Sequence, residues 1–335
     1  MTNRERVLSA IKHRTTDIIP YNIVLTKQEH EKVAKYFNDD GFLDKIGNHI
    51  KSAVYDGFLT EMTPGSGYWK DDFGVVWNRN SVDKDIGVID GLVIPEPDIS
   101  SYTFPEIDET RIRNKLELLI SDGSSDFKFG AIGFSMFERA WTLRGMENFL
   151  VDMIQEPAFA DELLDRIADH DMQIIDIALE YDIDGFHFGD DWGQQHGLIM
   201  GPDYWRRFIK PRIAKLYKKV KDKGLIVSQH SCGDIHEIFP DLIGIGLDLY
   251  QTFQPEIYDI RQIKSEYGGD LSFWGGISTQ TLLPFASPEE VKEVTRKTMD
   301  ILGRNGGYIA APTHDVPGDV PPENIEALIE VFTDQ

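Results

Sequence analysis

Cysteine is almost absent from this chain. Cys232 is the only one among 335 residues, so no disulfide forms within it, which fits a reducing compartment. Long apolar runs are missing as well, since none approaches the ~18–20 residues that cross a bilayer. The first thirteen residues read as an amphipathic helix, without the apolar core and small-residue cleavage site of a secretory signal. Positive charge is scarce: 34 Lys and Arg stand against 57 Asp and Glu, a formal net charge of −23. Such a chain repels nucleic acid and anionic membranes. The usual nucleotide signatures are also missing, because no G-x-G-x-x-G follows a first strand and there is no Walker A sequence. What remains is a cytoplasmic soluble protein, with no nucleic-acid and no membrane partner. A composition of 41% hydrophobic and 27% charged residues is ordinary for that class.

A regular rhythm fills most of the chain. Residues 1–37 have helical character, with Pro20 at a turn or strand start. Residues 63–77, rich in Gly, Tyr, Trp and Asp, read as a loop or hairpin, and 94–105 as an irregular, proline-punctuated connection. Beyond them, short β-type runs at 127–133, 184–189, 225–229, 247–252, 271–275 and 307–311 alternate with helical stretches. The helices are expected at 145–181 with a break at Pro157, and at 202–223, 257–267 and 288–303. The last opens on Ser287-Pro-Glu-Glu, a capping box with proline at the first helical position. Six or more β-α alternations predict a parallel sheet closed into a (β/α)8 TIM barrel with an irregular N-terminal extension. A doubly wound open sheet is the alternative. One domain spans 1–335: residues 1–120 form helices and loops around the pocket, and 121–335 the main barrel repeats.

Chemistry in such barrels sits at the C-terminal ends of the strands. The polar residues that follow each run are therefore the candidates. His230 and Cys232 end one run, and residues two apart on a strand face the same way. Imidazole and thiolate on one spot suit zinc. The alternative is a buried cysteine behaving as a small hydrophobe beside a hydrogen-bonded histidine. His314, after the last strand, can reach the same mouth and complete a His-Cys-His set with one position open, or simply bond a loop backbone. Asp190 and Asp191 are adjacent and point in opposite directions, so one of them faces the pocket as a substrate hydrogen-bonding group, a proton carrier or a partner to a metal-bound histidine. Their other use is as a helix N-cap. Glu138 is a candidate acid or fourth ligand, or else the partner of Arg139 or Arg144. Gln195, His196, Trp274, Gln254 and Tyr68 are the candidate substrate-binding residues. Tyr68 belongs to an aromatic group with Trp69, Phe73 and Trp77 that suits either a lid or a satellite core.

At these residues the chain resembles the uroporphyrinogen decarboxylase superfamily, specifically from about residue 128 onward. The resemblance rests on Asp190-Asp-Trp-Gly-Gln-Gln, His230-Ser-Cys-Gly, Trp274-Gly-Gly-Ile-Ser-Thr-Gln280 and Gly306-Gly-Tyr-Ile-Ala-Ala-Pro-Thr-His. It implies a (β/α)8 barrel. True uroporphyrinogen decarboxylases carry an arginine-rich N-terminal loop and need no metal; here Ile19-Pro20 is followed by Tyr-Asn-Ile-Val-Leu-Thr. The corrinoid-dependent methyltransferase branch binds zinc through a His-x-Cys and a later cysteine. His230 and Cys232 match the first two positions, and His314 stands about where the later cysteine belongs.

The resemblance thus implies a zinc-dependent methyltransferase. It would move a methyl group from a small methylated donor to the cobalt of a corrinoid (cobalamin) held by a partner protein. One thiolate instead of two leaves more positive charge on Zn²⁺, which favours a donor that departs as an oxyanion, as in an O-demethylase. The alternatives are a methylcobalamin:thiol methyltransferase and a metal-independent lyase of the decarboxylase kind. The sequence leaves open whether the chain forms a homodimer.

Overall fold

The apolar runs assemble into a curled, all-parallel sheet in the computed structural model, which describes residues 1–55, 57–80 and 86–335. Seven strands lie side by side in chain order: β1 (Ile50–Tyr55), β2 (Phe127–Ile132), β3 (Gly185–Gly189), β4 (Ile226–His230), β5 (Leu249–Phe253), β6 (Ser272–Ile277) and β7 (Tyr308–Pro312). The six runs expected from the sequence are β2 to β7.

The eighth stave is a short stretch around Tyr21. On one side the Ala310 N–H donates to Pro20 O at 2.8 Å and the Asn22 N–H donates to Ala310 O at 3.0 Å. On the other, the His49 N–H donates to Tyr21 O at 3.1 Å, and the Tyr21 N–H donates to His49 Nδ1 at 2.8 Å. This stretch bridges β7 to β1 and closes the barrel. It matches the turn or strand start expected at Pro20 within the otherwise helical residues 1–37: helices occupy Asn3–Ile11 and Lys27–Phe37, and the chain between them is drawn out to pair with Ala310. Proline suits that position because it fixes an extended-compatible φ and has no N–H to leave unpaired.

Side chains alternate across each strand. Phe127, Phe129, Leu249, Trp274 and Ile309 fill the barrel interior, and Val7 and Ile11 of the first helix plug its N-terminal end. Phe186, Phe188 and Val227 point outward into the layer shared with the surrounding helices. Those helices follow the sequence expectation. Met146–Gln155 and Pro157–Ala178 flank the break at Pro157. Residues 202–221 are helical throughout, with one wider π-type turn at Trp205–Ile209. Ser287 caps Pro288–Leu302 by accepting the Glu290 N–H at 3.3 Å. None of the described helices is long and apolar enough to cross a membrane.

The loop-or-hairpin at 63–77 is part of a four-stranded antiparallel sheet (Thr60–Glu61, Tyr68–Lys70, Val76–Asn78, Val88–Ile89). It packs on the rim beyond β2: Trp77 and Phe134 have ring centroids 5.6 Å apart, and Asp71 forms a fully buried ion pair with Arg139 at 2.9 Å.

Candidate metal centre at the barrel mouth

His230 is the last residue of β4, Cys232 lies two residues beyond it, and His314 lies two residues beyond the end of β7. In the sheet β4 and β7 are separated by β5 and β6. Only the curl of the barrel brings their ends together across the mouth. One donor atom from each residue lies within 4.8 Å of the others. Cys232 Sγ is 3.6 Å from His230 Nε2, and the two imidazoles stand edge to face with centroids 5.6 Å apart. A tetrahedral zinc with Zn–S ~2.3 Å and Zn–N ~2.05 Å separates its sulfur and nitrogen by about 3.6 Å. The donors therefore fit a zinc ion in type and number, and the Cys232–His230 pair fits it in spacing.

Neighbouring groups set the donors in place. The His230 Nδ1–H donates to Gln251 Oε1 on β5, which leaves Nε2 directed at Cys232. The Tyr250 hydroxyl donates to Ser231 O at 2.9 Å, and the Tyr258 hydroxyl donates to Gly233 O at 2.8 Å. Gly233 takes a left-handed φ of 79°. A Cβ there would sit 2.3 Å from the backbone of Gly193, so the loop carrying Cys232 and the one following the two aspartates meet main chain to main chain.

The two aspartates divide as their alternation requires. Asp190 is fully buried and turns away from the mouth. It accepts from the Phe137 N–H (3.0 Å), the Glu138 N–H (2.7 Å) and Trp192 Nε1 (2.5 Å). It thus caps the helix Met136–Arg144, which precedes it in the chain; burial pushes its carboxyl up to about 7 against these three donors. Asp191 turns inward, accepting the Cys232 N–H at 2.7 Å and standing 3.4 Å from His230 Nε2. Burial works to raise its carboxyl, but the His230 ring and the Cys232 amide outweigh it and bring it down to about 2. Glu138 accepts the Asp191 N–H, and burial first, then Asp191 and Asp190, lifts its carboxyl well above the ordinary range. Arg139 and Arg144, its candidate partners, pair with Asp71 and Asp152. Burial disfavours a charge on His230, yet Cys232 and Asp191 hold its imidazolium well above the usual range. His314 is exposed at the rim of the mouth; desolvation of its ring, then the neighbouring His230, lowers its imidazole.

The remaining candidates scatter. Trp274 lies on the barrel floor, stacked over Phe129 at 6.2 Å and 5.6 Å from the ring of His187. Gln254 is buried, and its Oε1 accepts the Gly233 N–H at 2.9 Å, so it supports the Cys232 loop. Gln195 and His196 form the exposed tip of a hairpin between Gly193–Gln194 and Gly197–Leu198. Tyr68 belongs to the antiparallel sheet, where its hydroxyl accepts from Asn78 Nδ2 at 3.1 Å. Phe73 and Trp77 are buried in the main hydrophobic core rather than in a satellite cluster, and Trp69 packs against it.

The sequence reading missed His187. It lies on β3, its Nδ1 2.9 Å from Ser228 Oγ and its ring 6.4 Å from that of His230. Burial and then His230 hold it down to about 3, a neutral imidazole below the mouth. The signal was there in Phe186-His187-Phe188, where the two outward phenylalanines force the histidine inward.

Fold and site together define a (β/α)8-type barrel with a set of three side chains at the C-terminal mouth that could hold a metal ion. The chain belongs to the uroporphyrinogen decarboxylase (URO-D) family, whose model matches residues 132–335. It is 26% identical over 199 residues to a methylated-thiol–coenzyme M methyltransferase of Methanosarcina mazei, covering 58% of this chain and 49% of that protein. It is 25% identical over 182 residues to a uroporphyrinogen decarboxylase of Methylococcus capsulatus, covering 53% and 49%. The chain thus spans about half the length of these curated relatives. Among solved structures, a methyltransferase from Methanosarcina mazei superposes over 100% of this chain and 99% of its own with a TM-score of 0.74 at 17% identity, a likeness of fold.

Proposed function

We propose that the protein is a zinc-dependent methyltransferase, taking a methyl group from a small methylated donor and passing it to the cobalt of a corrinoid carried by a partner protein. The observation that carries this reading is the His230–Cys232–His314 donor set, with its 3.6 Å sulfur–nitrogen spacing. Zinc held there supplies a Lewis acid that draws electron density from the atom bearing the methyl group. Gln251 keeps the Nε2 of His230 presented to the metal position. Asp191, anchored on the Cys232 amide, holds the ligand loop in register with the aspartate loop. Glu138, whose carboxyl is lifted well above the ordinary range by desolvation and by Asp191 and Asp190, is the acid for a donor oxygen that leaves with its electron pair. The floor of Phe129, Trp274 and His187 offers an aromatic surface with one neutral hydrogen-bonding group to the body of the donor.

The single thiolate and the buried acid both favour a methyl ether, since an alkoxide or phenolate leaves with help from an electrophile and a proton. A methylated thiol is the second donor class, favoured by the 26% identity to the methylated-thiol–coenzyme M enzyme. The test is anaerobic incubation of the zinc-loaded protein with Co(I) corrinoid and a panel of methoxylated and methylthio compounds. Methylcobalamin spectra that appear with wild type and vanish with Cys232→Ala support the proposal. No methylcobalamin from any donor, or full activity without zinc, overturns it.

A further inference from the structure

The end of the barrel opposite the metal-ligating mouth carries a different kind of surface. The helix Ile260–Tyr267 stops after 8 residues, at Gly268 and Gly269, while its neighbour Pro288–Leu302 runs for 15. The short helix and its two side-chain-free successors leave a cleft of about 760 Å³ between the pair. Residues three, four and seven apart share a helix face. Arg261 and Lys264 line one wall by that rule, and Lys297, Asp300 and Arg304 line the other. Four cations and one carboxylate therefore face one cleft, in a chain with 34 basic and 57 acidic residues.

Ion pairing does not account for these cations. Lys292, elsewhere on the second helix, pairs with Glu330. Among the described residues, none of Arg261, Lys264, Lys297 and Arg304 does so. Lys264 is half-buried, and its ammonium donates to Gly306 O at 2.7 Å and Gly307 O at 3.3 Å. Neighbouring cations repel one another, and among the described residues that line the cleft Asp300 is the one acid. The acidic remainder of the molecule does not cancel the local field, because at physiological salt charges beyond ~8 Å are largely screened. Two guanidinium forks offer bidentate geometry to phosphate oxygens, and two ammonium groups add point charges. The volume lies within the ~300–1,000 Å³ of small-molecule sites, well above the need of a lone phosphate ion.

We propose that this cleft is a binding site for a diphosphate-bearing small molecule, separate from the catalytic mouth. Arg261 and Arg304 grip the phosphates from opposite walls, Lys297 and Lys264 neutralise them, and the rest of the cleft takes the group they are attached to. The site does not depend on the methyltransferase reading.

Calorimetric titration of the full chain with pyrophosphate and with ADP, in magnesium-free buffer at about 0.1 M salt, tests the assignment. Saturable one-to-one binding is expected. It should weaken at least about tenfold in Arg261→Glu/Arg304→Glu and stay unchanged in Lys215→Glu/Lys223→Glu, which alters net charge equally at exposed lysines elsewhere. Cys232→Ala should bind as wild type does, which separates this site from the metal-ligating mouth. ADP binding more tightly than pyrophosphate assigns the spare volume to the organic part; equal affinity assigns recognition to the phosphates alone. Absence of saturable binding, equal loss in the charge-matched control, or dependence on Cys232 overturns the proposal.

Discussion

Gln251 Oε1 accepts a hydrogen bond from His230 Nδ1, so a residue of β5 decides which nitrogen of a β4 residue faces the mouth. A partner of this kind fixes both tautomer and ring orientation of a metal-ligating histidine, and removing one typically costs 10–100-fold in affinity. Gln251→Leu should therefore weaken zinc binding by about that factor while leaving all three ligands present. Gln251→Glu, which keeps an acceptor, should retain most of it. Competition with a chromophoric zinc chelator measures both, and wild-type affinity in Gln251→Leu would sink the assignment.

His314 meets His230 and Cys232 only across the barrel. His314→Ala should lower zinc affinity at least about tenfold, since two donors remain where three held the ion. His314→Cys should restore binding and change chemistry. A second thiolate makes the metal less electrophilic, so transfer from methyl ethers should fall while transfer involving thiols holds or rises. Zinc titration together with the ratio of rates on the two donor classes reads this out. An unchanged ratio would contradict the link between ligand charge and donor choice.

The two aspartates predict opposite phenotypes. Asp190→Ala leaves two backbone N–H groups and one indole N–H without an acceptor in a fully buried place, at ~1–3 kcal/mol for each. It should destabilise the fold by roughly 3 kcal/mol or more in urea unfolding. Asp191 is partly exposed at the mouth, so Asp191→Asn should change stability by under about 1 kcal/mol while lowering activity. Similar stability losses for the two variants would refute this division.

The barrel was legible where strands carry apolar residues on both faces, as β2 does in Phe127-Lys-Phe-Gly-Ala-Ile. It was illegible in β1, whose Lys51 and Ser52 are exposed, and in the Tyr21 stave, which pairs over three residues only. Closure therefore could not be read from local pattern; it is a property of the curled sheet. The pairing of His230 with Cys232 was legible because residues two apart on an extended chain share a face. The sequence showed that one aspartate turns inward but not which, because that depends on the Met136–Arg144 N-terminus waiting behind Asp190. Gln254 looked like a pocket residue for a similar reason. Its amide is engaged by Gly233, a tertiary contact that no spacing announces.

The closing seam carries its own pH response. His49 is buried, accepts the Tyr21 N–H at Nδ1, and has the Arg6 guanidinium 2.9 Å from Nε2. Burial, and then Arg6, hold its imidazole down to about 4 from an ordinary 6.5. Protonation would set an N–H against the Tyr21 N–H and a second cation against Arg6. Between these values the unfolded chain binds a proton that the folded chain refuses, so stability is full above about 6.5 and declines as pH falls toward 4. At ~1.4 kcal/mol per pH unit the whole loss is roughly 3 kcal/mol, of which about 2 falls between pH 7 and 5. Urea unfolding at these two pH values should show that much more acid destabilisation in wild type than in His49→Gln, whose amide does not titrate. Parallel pH profiles would mean that the seam between Tyr21 and β1 does not depend on a neutral His49.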